Sequence, residues 1–172
     1  MRFEIGGQYH MSVDEFWEDV FFDADFNDYL HLTGLKFRGY EILDADEQPD
    51  GRRSRVLRAQ PNVPIPKALQ RLLGRGITYI ENGRFDPVAR SWETDVQIPG
   101  LENKLSIRSV MRFEDTGQNR CVRSVVFNIE ARIFGVGRLL EKFAESALRD
   151  NYEQARLATN TWYAQTHQTP SS

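Results

Sequence analysis

The chain has little with which to build a covalent or metal-bound scaffold. Its only cysteine is Cys121, so no intrachain disulfide forms and no oxidising compartment is called for; a cytoplasmic setting is expected. The three histidines, His10, His31 and His167, lie far apart in sequence. Asp28 and His31 at i and i+3 could share a helical face, yet nothing joins them, and no metal site is expected. Asp23-Ala-Asp25-Phe-Asn27-Asp28 begins like a calcium loop but has Asp28 where glycine is required and Gly34 where the bidentate glutamate belongs, so these acids are read as helix caps. Gly135-Val-Gly137 is too short for a dinucleotide fingerprint, and Gly74-Arg-Gly76 lacks the Lys-Ser/Thr of a P-loop. No cofactor is expected. Nowhere do about 18 apolar residues run together, which excludes a membrane-spanning helix. Glu4, Asp14, Glu15, Glu18 and Asp19 crowd the first twenty residues, so no signal peptide is expected there.

What is present suits one domain: 172 residues can bury about 70% of their unfolded surface in a single core. Residues 1–165 are expected to form it, with 166–172 as a flexible tail. Net charge is only −3, but it is unevenly spread: Met1 to Asp50 holds 13 acids against 3 bases, and Gly51 to Ile80 holds 7 bases and no acid. Either the fold pairs these two parts, or a basic face meets anionic lipid or an acidic partner. No helix carries a basic stripe with base-reading side chains, and no nucleic-acid partner is expected.

Arg2 to Met11 alternates as a half-buried strand, with Phe3, Ile5, Gly7, Tyr9 and Met11 on one face. Ser12-Val-Asp-Glu15 is a capping box, with Met11 and Phe16 at the staple positions, and Val13, Phe16, Trp17, Val20 and Phe21 follow at helical spacing. Asp23 or Asp25 caps a second short helix ending near Gly34. Six further strands are predicted: Leu35 to Asp44, Arg52 to Gln60, Ile77 to Phe85, Ala89 to Ile98, Leu105 to Glu114 and Arg120 to Ile133. Pro-Asp-Gly51 makes the first hairpin turn. The prolines of Pro61 to Pro66 exclude that stretch from a sheet and lead into a short helix, Lys67 to Leu73.

A helix of some 27 residues, roughly 40 Å long at about 1.5 Å per residue, closes the sequence. Val136, Leu140, Phe143, Ala147, Asn151, Ala155, Ala158 and Trp162 form its apolar stripe. Small residues in the middle of that stripe, Ala144, Ala147 and Ala155, either leave room beneath a curved sheet or let helix and sheet pack closely; both remain open. A structure lacking an internal cavity of at least about 300 Å³ would favour a protein-interaction module over a binding protein or an enzyme.

This order of strand, two short helices, six strands and long C-terminal helix resembles the START-like helix-grip superfamily of lipid-transfer domains, polyketide cyclases and plant pathogenesis-related allergens. Within it, Pro61 to Leu73, Val96-Gln-Ile-Pro99-Gly100 and Ile133-Phe-Gly135-Val-Gly137-Arg-Leu-Leu140-Glu-Lys-Phe143 resemble segments of an uncharacterised bacterial family. The resemblance covers about Met1 to Trp162. It implies an α+β helix-grip fold, a seven-stranded curved antiparallel sheet wrapped around the last helix, with a hydrophobic cavity for a lipid-like or polyketide-like molecule between them. It implies no reaction and fixes no catalytic residues.

On that architecture the candidate ligand-binding residues are Tyr79, Glu81, Trp92, Met111, Phe127, Ile129, Phe143, Ala147 and Asn151. Ile77, Tyr79, Glu81, Gly83 and Phe85 share one strand face; if it points inward, an apolar wall carries one carboxylate, which needs a partner or a raised pKa. The other register, with Thr78, Ile80 and Asn82 inside and Glu81 in water, is the one favoured. Asn151 either satisfies a strand end or orients a ligand head group. Lys67, Arg71 and Arg75, interleaved with leucines, make a basic amphipathic piece that either covers the sheet end or meets an anionic membrane transiently. Three functions follow: a carrier or sensor of an apolar small molecule, a cyclase- or hydratase-type enzyme using Glu81, or a protein-interaction module with a filled core.

Overall fold

The computed structural model describes residues 1–167; most of the expected tail, 168–172, lies outside them. Strand β1 (Arg2–Tyr9) buries alternate residues, as its sequence pattern requires. Ser12 then starts helix α1 (Val13–Glu15): its hydroxyl accepts from the Glu15 amide at 3.1 Å while the Glu15 carboxylate accepts from the Ser12 amide at 2.8 Å. This satisfies two of the donors orphaned at a helix start. The staple residues Met11 and Phe16 are both buried.

After its first turn α1 widens into a π-helix over Phe16–Val20, where regular α winding was expected. Aromatic packing accounts for the wider turn. A π-turn stacks residues five apart, and here Phe16 meets Phe21 at 5.6 Å and Trp17 meets Phe22 at 6.5 Å between ring centroids. Asp23 caps helix α2 (Ala24–Asp28) through the Phe26 amide, and α2 likewise widens over Tyr29–Gly34.

The remaining strands are β2 (Gly39–Glu47), β3 (Arg53–Gln60), β4 (Tyr79–Asp86), β5 (Ser91–Gln97), β6 (Leu105–Gly117) and β7 (Arg120–Ala131). β2 begins later and ends later than predicted, because Phe37 closes the preceding turn through a bond to His31 and the hairpin's charged tip pairs fully. All neighbours are antiparallel in the order β1-β7-β6-β5-β4-β3-β2. Acidic β2 and basic β3 meet directly: Glu47 pairs with Arg53 and Glu41 with Arg58. Part of the uneven charge is thus spent inside one hairpin.

Pro61 to Pro66 runs extended into a 3₁₀ turn (Lys67–Leu69) and helix α3 (Gln70–Leu73), pinned by the fully buried Leu69. At the far end of β7, Gly137 packs where a Cβ would stand 2.7 Å from the Ala131 carbonyl oxygen. Only a glycine lets helix α4 (Gly137–Thr166) leave the sheet so abruptly. Thr166, assigned to the tail by sequence, is the last helical residue and donates to the Trp162 carbonyl at 2.8 Å. α4 packs on β1 and β7 along one side and on the π-turn of α2 along the other, so the sheet and small helices hold it from both edges.

Candidate ligand-binding cavity

The middle of α4 does not fill the space under the sheet. A cavity of about 220 Å³ remains, walled by inward residues of β1 and β3–β7, by α2, and by Leu140, Phe143, Ala144, Ala147, Leu148, Asn151, Tyr152, Ala155 and Thr159 of α4. Pro61, Val63, Leu73 and Ile77 frame the end below α3. The volume falls short of the roughly 300 Å³ at which drug-sized sites begin, the threshold below which the interaction module is the reading expected. It exceeds the ~150 Å³ apolar cavity that accepts benzene, so its scale is that of a substituted ring or short chain.

The register of β4 decides the chemistry of the wall. Leu57 pairs with Glu81 and Arg55 with Gly83 across β3–β4, which puts Tyr79, Glu81, Gly83 and Phe85 inside and Ile80 and Asn82 on the outer face. The favoured register, with Glu81 in water, is therefore overturned. Gly83 explains why: its bare Cα leaves a slot that the Trp92 indole occupies, and a slip of one residue would replace it with Asn82 or Arg84.

Of the nine candidate residues, Tyr79, Glu81, Trp92, Met111, Phe127, Phe143, Ala147 and Asn151 lie on the cavity wall. Ile129 does not; it is 1% exposed and pairs with Ile107 in the packed core. Sequence reasoning missed two arginines on the inward rows of their strands. Arg55 is 9% exposed and Arg123 is 2% exposed. Period two marks both, since Arg55 alternates with Leu57 and Ala59, and Arg123 with Cys121 and Val125.

Arg123 has three acceptors for its terminal nitrogens, while its Nε has none. Its guanidinium donates to the Tyr9 hydroxyl, to the Gly6 carbonyl at 3.3 Å and to the Tyr152 carbonyl at 3.2 Å, tying β1 and β7 to α4. Arg55 has one. It donates through Nη1 to Asn27 Oδ1 at 3.2 Å, lies over the Phe21 and Trp92 rings at 5.0 and 5.1 Å, and leaves Nε without a partner. Asn27 is held in place by its own donations to the Phe21 and Asp23 carbonyls at 2.9 and 2.7 Å.

Tyr79, Glu81 and Tyr152 keep some accessible surface, but it faces the cavity, and protein surrounds each of them. They behave as interior groups. Burial raises the Glu81 carboxyl above its usual range, against the opposing influence of Arg55 and the nearby Trp92 indole. Burial, reinforced by Glu81, holds the Tyr79 and Tyr152 phenols well above 10.0. The Thr94 and Ser109 hydroxyls pair at 2.7 Å on the same wall. Beside the cavity, His31 Nδ1 lies 2.7 Å from the Asn27 carbonyl and the ring stacks on Tyr40 at 4.2 Å; burial lowers its pKa to about 4. Asp28 accepts from the Tyr40 hydroxyl at 2.8 Å, and no group of three potential metal ligands gathers among the described residues.

A family described as a protein of unknown function, DUF2505, matches residues 6–163. The chain belongs to this family. Its fold is also that of the Zhui aromatase/cyclase from a Streptomyces species (TM-score 0.67, 14% identity, 100% of this chain and 98% of that one). A START superfamily protein from Mycobacterium smegmatis superposes with TM-score 0.58 at 16% identity over 96% and 98% of the two chains. Norcoclaurine synthase from Thalictrum flavum, in complex with dopamine and hydroxybenzaldehyde, does so with TM-score 0.63 at 16% identity over 98% and 88%. No curated protein matches in sequence. The DUF2505 chain thus has the helix-grip fold of these structures, as its element order implied.

Proposed function

We propose that this protein binds a hydrophobic small molecule in the cavity between its sheet and α4, as a carrier or sensor in a cytoplasmic setting. The observation that carries this reading is the cavity itself: about 220 Å³ left beneath Ala144, Ala147 and Ala155, where a helix built for support alone would bring bulkier groups. Affinity would come chiefly from apolar burial, at about 25 cal/mol per Å² before the costs of ordering. The likeness in fold to an aromatase/cyclase and to a synthase in complex with dopamine and hydroxybenzaldehyde supports the ligand class by analogy. Lys67, Arg71 and Arg75, all exposed beside the α3 end of the cavity, extend the reading to a transient contact with anionic membrane during loading. No helix among the described residues is long and apolar enough to cross a membrane.

Native mass spectrometry of protein purified from its host tests the proposal. A co-purifying small molecule released on denaturation is the expected result. An unloaded protein that also fails to bind a panel of fatty acids, aromatic acids and aromatic ketones would remove it.

One observation favours a second reading, an enzyme of cyclase or hydratase type. Glu81 combines a raised carboxyl pKa with two neighbouring phenols, Tyr79 and Tyr152, inside a cavity, which suits a general acid or base. A steady-state turnover assay of cavity-sized ketones separates it from simple binding.

A further inference from the structure

The charges around the cavity do not balance. Its wall holds two guanidiniums, Arg55 and Arg123, and a single carboxylate, Glu81. His31 adds no positive charge at neutral pH, because its ring is held neutral by burial. Arg123 spends both terminal nitrogens on a phenol and two carbonyls, and only its Nε lacks a partner. Arg55 is nine-tenths buried, has one neutral partner in Asn27, leaves Nε unpartnered, and makes no ion pair among the described residues, Glu81 included. A buried guanidinium with free donors and no carboxylate in contact, Glu81 acting on it only from a distance, is costly unless something else supplies an anion. Its planar fork matches a carboxylate in particular.

We propose that the ligand is an apolar carboxylic acid of about one or two rings, or a short chain of that size, whose carboxylate is received by Arg55 while its body lies against Leu140, Phe143 and Ala147. This rests on the binding reading above and names its ligand class. The position of Arg55 suits the role. It projects from the inward row of β3 opposite Gly83, so no side chain on β4 stands directly across from it. The Phe21 and Trp92 rings that flank the guanidinium hold its plane without consuming its donors. Tyr79 stands four residues from Gly83, beyond Glu81, on the same inward face, where its hydroxyl can donate to an oxygen of the bound acid.

The test compares benzoate, phenylacetate, 3-phenylpropionate and 2-naphthoate with their primary amides by calorimetric titration at pH 7.5. The full chain is used as wild type and as Arg55→Gln. The acids that bind should do so at least about tenfold more tightly than their amides, as expected for charge-assisted bonds. Arg55→Gln should reduce that preference to within about twofold. In wild type, the Arg55 Nε–H resonance should shift with acid and not with amide, which keeps the proposal testable even if the variant does not fold. Equal binding of acids and amides would overturn the ligand class and leave the apolar cavity reading standing. A folded Arg55→Gln that keeps the preference, or an unmoved Nε–H signal, would overturn Arg55 as the receptor. No binding by any acid or amide would overturn both this proposal and the reading beneath it.

Discussion

The indole of Trp92 occupies the place of the side chain that Gly83 lacks: a Cβ on Gly83 would stand 1.9 Å from Trp92 Cζ2. Trp92 is 3% exposed and meets Phe21 and Phe22 as well as Arg55, so it has no room to step aside. In most strands Gly→Ala gains stability by reducing the freedom of the unfolded chain. Here the sign reverses. Gly83→Ala should destabilise by about 1–3 kcal/mol, the usual cost of overpacking, and red-shift tryptophan emission. Urea denaturation with fluorescence detection measures both, and an unchanged or raised midpoint would show that the strands do not pair in this register.

His31 predicts a pH dependence. Burial holds its folded pKa at about 4, against 6.5 in the unfolded chain. Between those values the unfolded chain takes up a proton that the folded one refuses, so stability present above pH 6.5 falls as the pH drops toward 4. At 1.36 kcal/mol per pKa unit the loss amounts to about 3 kcal/mol. Arg55 and Asp28 both bear on the ring, in opposite senses, and neither outweighs burial. Glu81 works the other way, since a raised carboxyl pKa gains stability as pH falls. Urea midpoints at half-unit steps should therefore decline across this window in wild type, and His31→Gln should flatten the decline. An unchanged slope in the variant would assign the acid sensitivity to other groups.

Local chemistry made most of the fold legible. The Ser12–Glu15 box, the Asp23 cap, the Pro-Asp-Gly51 turn and the α4 stripe each declare themselves within a few residues, because caps and turns are satisfied by their own neighbours. The wall of the cavity is different. Whether Glu81 faces in or out depends on what Gly83 makes room for on the neighbouring strand, and pairing across strands leaves no trace in a single segment's pattern. Arg55 and Arg123 fell on inward rows by period two, but charge argues for solvent, and their partners Asn27 and Tyr9 are distant in sequence. The π-turns answer to aromatic contacts that helical periodicity alone does not contain.

Glu81 separates the two functional readings. If the protein only binds, Glu81→Gln removes a negative charge close to an incoming carboxylate, and affinity for aromatic acids should rise several-fold while affinity for their amides stays level. If it is an enzyme, the same variant should keep binding and lose about 10²–10⁴ in kcat, the ordinary contribution of a general acid or base. Titration and turnover on one preparation read both quantities. Weakened binding of the acids would contradict the placement of the carboxylate beside Glu81 in either case.

Ala147 tests the cavity without touching any of its polar groups. Its methyl lies on the wall midway along α4, between Phe143 and Asn151 on the same stripe. In a closely packed interior, Ala147→Leu would force strain costing about 1–3 kcal/mol. Over an open cavity the added carbons instead remove apolar surface from water at about 25 cal/mol per Å², so the thermal midpoint should hold or rise. The same carbons take up part of the 220 Å³, and binding of ring-sized probes should weaken at least tenfold. Those two results belong together: a raised midpoint with unimpaired binding would place the ligand elsewhere, and a lowered midpoint would mean that helix and sheet already touch at this point.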